Sequence, residues 1–209
     1  MFLLLTKTAW NDYFTGSSTN YNSQTYGSRT TLSGTNFYVS NCLFRSISSS
    51  GNGGALSCTS FTYFLVESSS FFSCKTSSTY GGAIYFSYSG GQCVLHGVCG
   101  YDCCASSHYQ FAYVNVNNAA TSKNYVNYSS IARCVNEDSS SCQTIYLCYG
   151  NIRCPSVNMS MNKCNRRPFY CYPSSDSNSI TCSISYSSFT DNIATGYNCI
   201  YLSMTGAKY

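Results

Sequence analysis

The chain has 209 residues, 44% of them apolar, so it holds enough material for a core, yet charged residues make up only 9%, against about 25% in ordinary globular domains. That balance excludes a disordered charged tail and a highly charged helical protein. The net charge is a mild +4 with no basic face or stripe, which argues against a nucleic-acid partner; polarity comes from Ser, Thr, Asn, Gly and 21 Tyr, which suit pleated sheets and turns.

Taken in chain order, the first apolar run is Phe2-Leu3-Leu4-Leu5. It is shorter than the ~7–15 residues of a signal-peptide core and has no basic segment before it. No run approaches the ~18 apolar residues of a membrane-spanning helix, so no membrane insertion by this chain is expected. Residues 1–30 are expected to be a partial N-terminal coil, built on Trp10, Tyr13 and Phe14, or a poorly ordered leader. Residues 31–209 are expected to form a single repeat domain.

Repetition begins at Asn36. The segment Asn36–Cys58 aligns with Phe64–Phe86 at a shift of 28 without a gap. Leu43-Phe44 then meets Phe71-Phe72, Ser46 meets Cys74, and Gly53-Gly54-Ala55-Leu56 meets Gly81-Gly82-Ala83-Ile84. The residue closing the short apolar turn serves as an anchor, at Ser46, Cys74, Cys103, Cys134, Cys164 and Asn192, with spacings of 28, 29, 31, 30 and 28. Three residues before it stand Leu43, Phe71, Gly100, Ile131, Met161 and Phe189. Eight before stand Tyr38, Val66, Leu95, Val126, Ser156 and Ile184; ten before, Asn36, Phe64, Cys93, Asn124, Cys154 and Cys182.

Within a unit the apolar period is two, as in Phe64-x-Val66 and Ile180-x-Cys182-x-Ile184, so these are strands. A second strand follows in each unit, as at Ala83–Phe86, Phe111–Val116, Thr144–Leu147 and Cys199–Leu202. A long repeat of strands and turns that cannot bury its own apolar face is a solenoid. The expected fold is all-β: a right-handed parallel β-helix of about six coils of 28–31 residues, the hand following from the chirality of parallel crossovers. The Gly-Gly pair marks a sharp bend where side chains would collide.

The 15 cysteines suggest an oxidising compartment when taken alone. Most fall in the inward columns, where Cys acts as a small buried hydrophobe, although a disulfide between adjacent coils is geometrically allowed. His96 and His108, with Cys99, Cys103 and Cys104 between them, fit no standard zinc spacing. No metal site and no cofactor are expected. The carboxylates are Asp12, Glu67, Asp102, Glu137, Asp138, Asp176 and Asp191. Their columns and coils keep them from converging, and neither histidine has an evident orienting carboxylate, so no catalytic residues are expected. Lys163 with Arg166-Arg167 is expected to be a solvated turn. Asn127-Tyr-Ser and Asn158-Met-Ser are glycosylation sequons. Candidate contact loops are Ala105–Gln110, Val135–Ser141 and Ser174–Ser179.

Gly53-Gly54-Ala55-Leu56, Gly81-Gly82-Ala83-Ile84 and Phe189-Thr-Asp-Asn192 resemble the paired Gly-Gly-Ala-Ile/Leu and Phe-x-x-Asn signals of the chlamydial polymorphic membrane proteins and a related trichomonad family. Phe71-Phe-Ser-Cys74 looks like the second motif with Cys for Asn. The resemblance is clear over 36–86 and partial over 179–202. It implies a cell-surface or secreted passenger β-helix, adhesive or structural, without catalytic residues and with host-cell or glycan ligands. A polysaccharide lyase or hydrolase is the alternative. A third expectation is a fragment of a longer surface protein. Open strand edges at the coil ends would then favour end-to-end self-association.

Overall fold

The computed structural model describes residues 10–135, 143–175, 179, 181–196 and 198–202. Phe2–Leu5, Glu137, Asp138, Asp176 and much of the Val135–Ser141 and Ser174–Ser179 loops lie outside them. The chain winds as a parallel β-solenoid of about six turns. It has three seven-stranded faces. The first runs from Thr19–Asn22 to Cys182–Ser185, the second from Thr25–Tyr26 to Ser188–Thr190, and the third from Thr30–Leu32 to Ile200–Leu202. Each strand pairs in parallel with its counterparts one coil before and after, as Tyr63–Glu67 does with Asn36–Ser40 and Gln92–His96.

Two corners per coil are made by residues in the left-handed region. The bend between the first and second faces uses Asn41, Ser68, Gly97, Tyr128, Ser156 and Tyr186; the bend after the second uses Ser46, Ser73, Asp102, Arg133, Met161 and Asp191. A single residue at positive φ reverses the pleat and turns the chain sharply, at a cost of roughly 1–2 kcal/mol for bulky side chains. The bend into the third face uses Gly53 and Gly81 at φ 72° and 67°. The glycine after each sits where a Cβ would collide with the next coil's backbone, Gly54 against Gly82 and Gly82 against Gln110. In the following coil Tyr109 takes the positive φ instead, and Gln110 buries its side chain, accepting a bond from the Ala105 N–H at 3.0 Å.

These corners correct the register expected from sequence. Asn36–Ser49 pairs with Tyr63–Thr76 at a shift of 27, and the shift becomes 28 only from the glycine pair onward. The inward residues of that coil are therefore Phe37, Val39, Phe44 and Ile47, not Asn36, Tyr38, Leu43 and Ser46. In the later coil the true column members are Ile152, Cys154, Met159 and Asn162, two residues before Cys154, Ser156, Met161 and Cys164. A slip of two preserves the in/out alternation, whereas a slip of one inverts it.

The core is one continuous stack. Phe44 and Phe71 lie parallel with ring centroids 4.7 Å apart, and Tyr26 stacks on Phe44 at 4.6 Å. Gly100 continues this column, and the vacated volume is filled by the ring of Phe111, which meets Phe71 edge-on at 6.0 Å. Burying each such ring contributes about 2–3 kcal/mol. The 14 described cysteines are free thiols; Cys99 is exposed, Cys104 and Cys199 are half-buried, and the others are buried.

Trp10, Tyr13 and Phe14 do not belong to a coil. A short 3-10 turn, Trp10–Asp12, begins a strap across the outside of the first face. Its side chains pack on Leu65, Val94, Tyr38, Tyr63 and Tyr125 from four successive coils.

Candidate functional site

Two arrangements of polar side chains stand out, one on each of two faces. On the third face the outward position holds Tyr85, Tyr113, Tyr146, Tyr170 and Tyr201 in register on five consecutive coils. Neighbouring strands lie ~4.8 Å apart, so rings at one position must stack or splay. Here three of the four pairs stack and Tyr146–Tyr170 is tilted by 45°, with centroid separations of 5.3, 5.6, 4.8 and 4.9 Å along the column. Tyr80 and Tyr109 form a second column beside them, with Tyr109 4.9 Å from Tyr113 and 5.0 Å from Tyr146. The Arg167 guanidinium lies 3.9 Å from the Tyr201 ring centroid and 5.5 Å from that of Tyr170. Burial among the rings holds the phenols of Tyr113 and Tyr146 above the usual range and pushes that of Tyr109 up to about 12. Apart from the Arg167 guanidinium at its Tyr201 end, the face is thus an array of neutral ring edges and hydroxyls, the hydroxyls each able to donate and accept.

On the first face one outward column holds Glu67, His96 and Asn127 on consecutive coils. All three are buried, because the strap covers them. The Tyr38 hydroxyl donates to the Glu67 carboxylate. Asn127 Nδ2 donates to Tyr13 Oη at 3.0 Å, and Tyr13 Oη bonds His96 Nδ1 at 2.9 Å. The phenol oxygen accepts from the amide, and its own proton goes to Nδ1 when that nitrogen is bare, so the direction of the Tyr13–His96 bond follows the protonation of the imidazole. Burial lowers the His96 pKa, while the Glu67 and Asp12 carboxylates pull it back up.

The register brings the Glu67 carboxylate next to His96, where it accepts from Tyr38, while His96 Nδ1 bonds Tyr13. Both Glu67 and His96 stand seven residues before their anchors, as does Asn127, so this column is visible in the spacing. The candidate zinc residues separate. His96 is under the strap, Cys99 points outward on the second face, Cys103 is in the core and His108 lies beside Tyr80 and Tyr109. Among the described residues no three His, Cys, Asp or Glu are grouped to hold a metal. Asp102 takes a hydrogen bond from Ser73 at 2.7 Å and pairs with Lys75 at 3.7 Å, at a corner far in register from Glu67. Of the basic cluster, Lys163 begins a short strand and Arg167 stacks on the tyrosines instead of extending into solvent. Asn127 is buried against Tyr13, while Asn158 is exposed. A glycan therefore fits at Asn158 and is incompatible with Asn127 in this conformation.

Comparison of the chain with protein-family models, with curated proteins and with solved structures gives no match.

Proposed function

We propose that this chain is a non-enzymatic β-helical surface module, similar to a polymorphic membrane protein passenger, that binds an extended glycan along its third face. The observation that carries the reading is the tyrosine ladder, with one phenol per coil at 4.8–5.6 Å. A polysaccharide in extended conformation presents hydroxyls and C–H faces at a comparable repeat, so successive sugars meet successive tyrosines. Tyrosine supplies rigid amphipathic contact area at low entropic cost. A solenoid displays such a face over its whole length. The Gly-Gly-Ala and Phe-x-x-Asn signals support a cell-surface or secreted setting.

The test is binding of the folded protein to an array of neutral and acidic glycans, repeated with Tyr113→Ala and Tyr146→Ala. Binding should be lost by at least about tenfold, matching roughly 1.4 kcal/mol, while the circular dichroism spectrum is retained. No binding by correctly folded protein, or binding unchanged in both variants, overturns the proposal.

A further inference from the structure

We infer that the strap of residues 10–14 is released in acid: neutral His96 holds it through Tyr13, and a proton on that ring frees it and uncovers the first face. The strap carries its own apolar attachment. Trp10 and Phe14 are 7% and 3% exposed, and Phe14 stacks on Tyr63 at 4.8 Å. The following residues Thr15, Gly16 and Ser17 are exposed, with Gly16 at φ 84°, so the strap can swing without disturbing a coil. Its polar attachment is the chain Asn127 to Tyr13 to His96.

The amide donates to the phenol whichever way the proton lies between the phenol and the ring. A neutral imidazole with a bare Nδ1 accepts the phenol proton, whereas an imidazolium can only donate there. Protonation therefore removes that acceptor from Tyr13 and leaves a charge sealed beneath the strap with 5% exposure. Every charged or titratable group facing His96 enters this balance. Tyr13 and Asp12 face it from the strap, Glu67 from the preceding coil, and Asn127 and Tyr128 from the following one. The two carboxylates favour the imidazolium, but burial outweighs them, so the docked state holds the proton less tightly than free solution does.

The sign follows. The undocked strap leaves His96 in water with an ordinary value near 6.5, and the docked state lowers it, so docking binds fewer protons. Docking is therefore fully favoured above about pH 6.5 and weakens as pH falls from there through the lowered value. Release exposes Leu65, Val94, Tyr63 and Tyr125 as a contiguous apolar surface.

Trp10 is the only tryptophan in the chain, so its fluorescence reports the strap directly. The full chain should show a reversible red shift and a several-fold rise in iodide quenching between about pH 8 and pH 5, with the far-ultraviolet β signal unchanged. His96→Gln keeps a carbonyl for Tyr13 to donate to but cannot be protonated; it should leave Trp10 shielded at both pH values. Tyr13→Phe, which leaves every coil intact, should raise quenching at pH near 8 and flatten the titration. A Trp10 signal that does not change with pH, or one that titrates equally in His96→Gln, overturns the inference.

Discussion

Asn162 joins three coils with one amide. Its Oδ1 accepts the Cys134 N–H at 3.0 Å, and its Nδ2 donates both to the Ile131 carbonyl at 3.0 Å and to Asn192 Oδ1 at 2.9 Å. Asn192 repeats the bond one coil on, donating to the Met159 carbonyl at 2.7 Å. Cysteine fills the same post in earlier coils: the Cys74 and Cys103 thiols point at the carbonyls of Phe44 and Phe71 at 3.6 and 3.5 Å. The Cys-for-Asn exchange apparent in the Phe71-Phe-Ser-Cys74 motif thus has a physical basis, since both side chains donate backward to a core residue's carbonyl. A thiol is the weaker donor and offers little to a neighbouring N–H. Asn162→Ala should cost about 2–3 kcal/mol by leaving the buried Cys134 N–H unpaired, measured as a lower urea midpoint. Asn162→Cys should recover only part of this, because the thiol can remake the bond to Ile131 but still leaves the Cys134 N–H without a good acceptor.

At the scale of the strand and corner, the glycine pairs decide where the third face begins. Gly82 has the Gln110 carbonyl and the Cys104 backbone against the place a Cβ would occupy. Both neighbours are main chain held in the ladder, so they cannot yield cheaply. Gly82→Ala should destabilise the fold by about 1–3 kcal/mol through overpacking, visible as a fall in melting temperature. The same substitution at Gly27, where a Cβ would meet nothing, should be close to neutral. These corners also explain which part of the register could be found without coordinates. The glycine pair fixes a shift of 28 where it stands, because only that alignment superposes two such bends. Upstream the shift is 27, since the corner between Thr76 and Gly81 holds one residue more than that between Ser49 and Gly53. Serine-rich corners carry no mark of their length, so the pattern of Leu43-Phe44 against Phe71-Phe72 could not tell one residue from none.

For the whole molecule, the consequence of a single stacked core is that most thiols are shielded together. Burial raises the pKa of Cys99 and Cys104 above the ordinary thiol value, which slows even the accessible ones, because the thiolate is the reacting species. Among the described cysteines, a thiol reagent should modify Cys99 first in native protein, then Cys104 and Cys199, and Cys99 and Cys104 should react faster as pH rises. The buried cysteines should react only on unfolding, in step with loss of the β signal. Native reaction of Cys74 or Cys103 at the rate of Cys99 would contradict the stacked core.

Legible without coordinates were the solenoid, the strand alternation and the placing of most cysteines inside, because burial writes a period of two within a strand and a recurring motif from coil to coil. The sequence also held the Glu67, His96 and Asn127 column, which follows from counting seven residues back from the anchors, whereas the paired tyrosines, 28, 33, 24 and 31 residues apart, come into register only through the strand pairing. The place of Trp10, Tyr13 and Phe14 is set only once the coils have folded. Nothing periodic marks a strap, and its site is chosen by contacts with Leu65, Val94 and Tyr125, residues that lie far along the chain and meet only once the coils have stacked.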